Sequence, residues 1–188
     1  MDIKRNKAKE LIAQASIPFL SNKEVSDILC EYWVYDSEQD IKNSIEEGHL
    51  PILEQEAISF MARNTLPDIP DRELFKPLII DMQIHELKNV RNSFLQNKLT
   101  FLGCINANIL GEPEKAGICP CCQYYSIDFG DEGLWDICPV CCWENGGDGP
   151  NHISLKEAQV NFESIGAIDK SSLKYVDSEG HLKYERNV

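Results

Sequence analysis

The chain has 188 residues, 43% of them hydrophobic and 26% charged, with a net charge of −13. That composition is one of ordered soluble protein, and the length allows one medium domain or two small ones. No apolar run approaches the roughly 18 residues of a membrane-spanning helix. Neither half carries the basic face that phosphate neutralisation requires, since residues 1–112 sum to −6 and the remaining 76 to −7.

The N-terminal stretch mixes basic residues with scattered apolar ones and lacks the continuous apolar core of a secretory signal, which predicts a cytoplasmic protein. Ser21 with Glu24 makes a capping box for a helix over 22–35, along which Val25, Ile28, Leu29, Tyr32 and Trp33 recur at helical spacing. Ser37 caps a short helix that carries Ile41 and Ile45 and closes at Gly48. Pro51 opens the next, followed by Ile52, Ala57, Ile58 and Met61. A turn over 66–71 leads to a longer apolar segment over 72–99, with Leu74, Leu78, Ile79, Met82, Leu87, Val90, Phe94 and Leu95. Pro77 is expected to split it. About five helices in so short a stretch suffice for a compact bundle.

The run 110–117 has linker chemistry and places a boundary near 112, giving a helical domain over 1–112 and a metal-binding domain over 113–188. Beyond it, 123–129 reads as a strand, Gly130–Gly133 as a turn and 134–137 as a second strand. The loop 144–151 holds three glycines and a proline. Ser154 with Glu157 starts a helix over 155–165 that Gly166 ends, and 173–184 reads as a hairpin about Ser178, Glu179 and Gly180.

Six of the eight cysteines lie between 119 and 142. An even count suits disulfides in a secreted chain, but the missing signal sequence and the paired C-x-x-C spacing point to a metal. Cys119-Pro120-Cys121-Cys122 is followed, after fifteen residues, by Cys138-Pro139-Val140-Cys141-Cys142. Two cysteines three apart turn both sulfurs toward one ion, and amides of the turn can hydrogen-bond to the thiolates. The intervening residues suit a hairpin that brings the two turns together. Cys119, Cys122, Cys138 and Cys141 are therefore the candidate ligands of one Zn2+ in a closed tetrahedral site. Cys121 is the main rival, although Ile118 and Tyr124 stand where a paired cysteine would be. Cys142 fits only as a substitute for Cys141. Six thiolates would also serve a dinuclear cluster. Cys30 and Cys104 stand alone and read as buried packing residues.

An iron–sulfur cluster also takes four cysteines, but two symmetrical proline-containing turns look more like a zinc ribbon. A thiol–disulfide enzyme would place one C-x-x-C at a helix start after a strand. A closed four-thiolate site leaves no open position for hydrolysis. The sequence holds no H-E-x-x-H, phosphate loop or dinucleotide fingerprint. Glu144, Asn145 and Asp148 lack the rest of a calcium loop. His152 reads as a solvated loop residue, and Asp81 with His85 as a solvated helix face. The expectation is a protein that is not an enzyme. Residues 117–168 hold too little apolar surface to outweigh chain entropy alone, so metal binding is expected to be coupled to folding.

Cys119-Pro120-Cys121-Cys122, then Ile137-Cys138-Pro139-Val140-Cys141, Trp143-Glu144, Gly149-Pro150-Asn151, Ser154-Leu155, Glu157-Ala158, Asn161-Phe162 and Gly166-Ala167 together resemble the bacterial cysteine-rich CPCC family over about 117–168. Where that family commonly has glycine after its first motif, this chain has Gln123, and where it often has an aromatic residue after the second, this chain has Cys142. The resemblance implies that Cys142 is dispensable, that Cys121 belongs to the motif, and that the domain binds zinc without catalytic residues. It also implies a loose association with bacterial toxin–immunity neighbourhoods. The helices before it resemble no known family.

The fold class expected is α+β: an N-terminal helical bundle followed by a small zinc-ribbon-like domain with short strands and a helix. An acidic protein favours a basic partner found by charge. The expected function is an acidic, zinc-binding protein-interaction module, an immunity or antitoxin protein that neutralises a basic toxin domain through Asp36, Glu38, Asp40, Glu46 and Glu47. The alternative is a zinc-ribbon regulator or nucleic-acid adaptor, although the charge of the ribbon half opposes direct nucleic-acid contact. No membrane partner is expected.

Overall fold

The computed structural model describes residues 1–146 and 151–187. Gly147, Asp148, Gly149 and Pro150 of the expected 144–151 loop, including the Asp148 weighed for calcium, lie outside the described residues. In chain order the elements are β1 (Asp2–Lys4), α1 (Arg5–Ser16), α2 (Asn22–Cys30), α3 (Glu38–Glu46), α4 (Gln55–Arg63), α5 (Lys76–Glu86), α6 (Asn92–Phe101), β2 (Asn108–Leu110), β3 (Ala116–Ile118), β4 (Tyr125–Asp128), α7 (Leu155–Ile165) and α8 (Gly180–Lys183). Short 3-10 turns occupy Ile17–Phe19, Gly130–Gly133 and Ser172–Lys174. The fold is thus mixed, with helices and two small two-stranded sheets, and its cysteine region is compatible with a small zinc-ribbon-like domain. Among the described residues, no helix is long and apolar enough to cross a membrane.

The chain gathers into two compact units, Asn6–Leu87 and Met1–Arg5 with Lys88–Val188, so the expected boundary near 112 falls inside the second unit. The first unit is helical. Ser21 Oγ accepts from the Glu24 amide while the Glu24 carboxylate accepts from the Ser21 amide, the reciprocal box that starts α2. Ser37 Oγ caps α3 by accepting from the Asp40 amide, and Gly48 leaves its far end at φ +79°. The core joins Val25 and Leu29 of α2, Ile41 of α3, Ala57 and Met61 of α4, and Phe75, Leu78 and Ile79 around α5. Trp33, Phe60 and Phe75 meet edge to face with centroids 5.4 to 6.3 Å apart.

Three sequence expectations shift here. Helix α4 begins at Gln55, four residues after Pro51, because Leu50 and Leu53 are buried as an extended entry and leave Ile52 exposed. Pro77 does not split the long segment. It sits in the first turn of α5, where its missing N–H has no helical partner to lose. The break falls instead at Asn89, in the left-handed region at φ +63°. Helix α1 was not anticipated, since its wholly buried positions are the alanines Ala8 and Ala13, which give a weak periodic signal.

In the second unit, β1 pairs in parallel with β2, Ile3 opposite Ile109. Arg5 is buried at the end of β1. Its guanidinium donates to Glu114 Oε2 at 2.7 Å, to Asn92 Oδ1 at 2.7 Å and to the Val90 carbonyl at 2.6 Å. The partner of β4 is β3, antiparallel, drawn from the stretch read as a linker. Gly117 permits this close pairing, because a Cβ there would stand 2.5 Å from the Asp128 carbonyl oxygen. The expected strand over 134–137 is absent. Trp135 at φ +71° interrupts any extended run, and only Ile137 bridges to Glu144. The expected 173–184 hairpin is replaced by the 3-10 turn at Ser172 and by α8. Asp169 accepts from the Ser172 amide and Asp177 from the Glu179 amide, side-chain bonds that favour helical turns over a ladder. Helix α7 has its expected bounds, with Ser154 accepting from Glu157 and Gly166 at φ +80°.

Candidate metal centre

The two cysteine turns are copies of one another. In the first, the Cys119 amide donates to the Tyr124 carbonyl and the Gln123 amide to the Cys119 carbonyl, both at 2.9 Å. In the second, the Cys138 amide donates to Trp143 and the Cys142 amide to Cys138, both at 2.8 Å. Each turn ends in a left-handed residue, Gln123 at φ +63° and Cys142 at φ +66°. These are the two positions where the chain lacks the residues common in the resembling family, and both still complete the turn. Gln123 adds a bond from Nε2 to the Pro120 carbonyl at 3.0 Å.

The turns bring Cys119, Cys122, Cys138 and Cys141 together, with all four sulfurs within 4.8 Å of one another and all four residues wholly buried. Cys119 Sγ lies 3.6 Å from Cys141 Sγ, and Cys122 Sγ lies 3.6 Å from Cys138 Sγ. A disulfide would require about 2.05 Å. Zinc–sulfur bonds of about 2.3 Å in a tetrahedron put sulfurs about 3.8 Å apart, which these separations approach. The donor set therefore fits a tetrahedral, thiolate-preferring metal ion.

Electrostatics supports the same conclusion. Burial pushes the Cys138 thiol up, but hydrogen bonds from Cys119, Cys122, Cys141 and Ser126 outweigh it and hold Cys138 well below the ordinary thiol value. Ser126 Oγ stands 3.1 Å from Cys138 Sγ. Cys122 is raised, first by its hydrogen bond with Cys119, and Cys141 is raised by hydrogen bonds with Cys119, Cys121, Cys122 and Cys138. Ionising the full set calls for a cation in the middle.

The remaining cysteines lie outside the four. Cys121 is buried and its hydrogen bond with Cys141 holds its thiol down, which makes it a neighbour of the centre. Cys142 points elsewhere, toward the Ser172 carbonyl at 3.5 Å. Cys104 is half-buried. Cys30, expected in the core, is exposed at the end of α2. His152 pairs with Asp169 at 2.5 Å and is mostly exposed. Asp81, read with His85, accepts instead from the Tyr32 hydroxyl at 3.0 Å. Ser126 was missed by sequence reasoning, because nothing in its spacing marks it until β4 turns it toward Cys138.

The acidic residues expected to meet a partner cluster around α3. Asp36, Asp40, Glu46 and Glu47 are exposed, while Glu38 is half-buried. Glu38 accepts from Ser59 at 3.1 Å, Gln55 at 2.9 Å and Arg63 at 2.8 Å. These bonds, Ser59's first, hold its carboxyl below the usual range against burial. Asp40 accepts from the Ser37 hydroxyl at 2.6 Å.

Paired cysteine turns gather four buried thiols into a cluster that could hold a metal ion. Residues 117–181 match the family described as Cysteine-rich CPCC. The match runs past the 117–168 of the motif series and takes in the 3-10 turn at Ser172. Comparison of the chain with curated proteins and with solved structures finds no match.

Proposed function

We propose that Cys119, Cys122, Cys138 and Cys141 hold one structural Zn2+, and that the chain is an acidic interaction module, an immunity or antitoxin protein that binds a basic toxin domain. Four wholly buried sulfurs within 4.8 Å of one another support the metal half of this reading. Zinc suits them because it accepts four thiolates in a closed tetrahedron. Four protein ligands leave no position for substrate, so the ion braces the fold and the protein is not an enzyme through this site.

Charge supports the partner half. Asn6–Leu87 holds 16 Asp+Glu against 7 Lys+Arg, a net −9, whereas the rest of the chain carries −4. Acidity is thus concentrated in the helical unit. Asp36 and Asp40 favour the N-terminal end of α3, but Glu46 and Glu47 stand at its C-terminal end, where the helix dipole opposes them. The helix does not need that pair, and a basic partner would use it. Glu38 and Asp40 are engaged within their own unit and add field more than contact.

Two measurements test the reading. Elemental analysis of the purified chain is expected to find one zinc per molecule, and none after serine replaces all four ligands. Co-expression with a basic toxin domain encoded beside it is expected to restore growth through a salt-sensitive complex. Failure to bind or neutralise that neighbour, or salt-sensitive binding to nucleic acid instead, would sink the partner half.

A further inference from the structure

The loop 129–137 turns its large apolar side chains to solvent: Phe129, Leu134, Trp135 and Ile137 are 57%, 53%, 61% and 63% exposed. The loop is nonetheless fixed. The Asp128 amide donates to the Asp136 carboxylate at 2.8 Å across its neck. The Trp135 amide donates to the Asn145 carbonyl and the Asn145 amide to the Asp136 carbonyl, each at 2.8 Å, while Asn145 Nδ2 donates to the Gly133 carbonyl at 2.8 Å. These bonds hold Trp135 at φ +71°, a left-handed conformation that a bulky side chain adopts only under constraint. The fold buries little of the indole in return. Strain of this kind, held by surrounding bonds to present one ring, marks functional surfaces, and tryptophan is the residue most enriched where protein partners bind tightly.

The charges around the ring say what it meets. Asp131 and Glu132 are exposed in the adjoining turn. The Lys115 ammonium already lies 5.4 Å from the centroid of Phe129, so a ring of this loop accepts a cation. A second copy of a chain with net charge −13 would be repelled, and an anionic membrane or nucleic acid would face Asp131 and Glu132.

We propose that the 129–137 loop is a docking surface for an arginine- or lysine-bearing segment of a protein partner. The partner's cation stacks on Trp135 beside Asp131 and Glu132, and its apolar neighbours cover Leu134 and Ile137. The inference rests on the reading of the chain as a binder of a basic protein, and adds a contact in the unit that net charge does not single out.

The test uses the full, metal-loaded chain and a fluorescently labelled peptide alternating arginine with leucine, read by anisotropy. Trp135→Gly and Trp135→Asn both place residues that tolerate positive φ. Both variants are expected to melt no lower than the parent and to bind the peptide about tenfold or more weakly. A peptide with glutamate in place of arginine is expected not to bind. A lower melting temperature in both variants assigns the indole to the fold and overturns the proposal. Peptide binding that survives both Trp135 variants, but is lost when Asp36, Glu46 and Glu47 become alanine, overturns the surface and leaves the basic-partner reading standing. A parent chain that binds neither the peptide nor a basic toxin domain overturns both.

Discussion

The helical unit and the cysteine region solve the same problem with different materials. In Asn6–Leu87 the wholly buried side chains include Phe75, Leu29, Ile41, Leu78 and Ile79, large groups drawn from three parts of the sequence. Among the described residues of 116–187, the apolar ones with no exposure at all are Cys119, Cys122, Cys138, Cys141, Ala158 and Ala167. The first set removes enough apolar surface from water to hold a fold. The second is much smaller, and its centre is made of thiols that could hold a cation.

The comparison breaks most visibly when the metal is removed. Chelation is expected to strip amide protection from 116–187 while α2 to α5 keep theirs in hydrogen-exchange measurements, since structural zinc supplies on the order of 10 kcal/mol to domains of this kind. Uniform protection with and without chelator would show that the cysteine region stands without the ion. The converse change is Leu29→Ala, expected to cost about 2–5 kcal/mol in denaturant unfolding with zinc content unchanged. Ser126→Ala removes the hydroxyl beside Cys138 and is expected to weaken metal affinity about tenfold, measured by competition with a chromogenic chelator. Ser154→Ala removes the cap of α7 and is expected to cost about 1 kcal/mol, seen as a small shift in the unfolding midpoint. Cys142→Ser is expected to change neither metal content nor affinity, because its sulfur faces the Ser172 carbonyl.

The same contrast explains what could be read in advance. The cluster of four cysteines was legible because C-x-x-C spacing is local, and a turn that aims two sulfurs at one point is written in consecutive residues. Capping at Ser21, Ser37 and Ser154 was legible for the same reason. Strand pairing was not. The choice of Ala116–Ile118 over 134–137 as the partner of β4 depends on Gly117 allowing a close approach and on Trp135 taking a left-handed backbone, neither of which leaves a periodic signal. Helix α1 was hidden by its alanines, and the role of Arg5 by its distance in sequence from Glu114 and Asn92. Local chemistry speaks in the sequence, whereas pairing between distant segments is decided by which surfaces fit.

The position of Arg5 has one more consequence. Its guanidinium binds the Val90 carbonyl at 2.6 Å, so the chain leaves and re-enters the second unit at nearly the same place. The 82 residues between, Asn6–Leu87, form an excursion whose two ends are tied at a single knot. An excursion of that kind can be exchanged for a short bridging peptide without cutting the β1–β2 or β3–β4 ladder. Because closure entropy grows only as the logarithm of loop length, its size sets little of the cost of tying that knot.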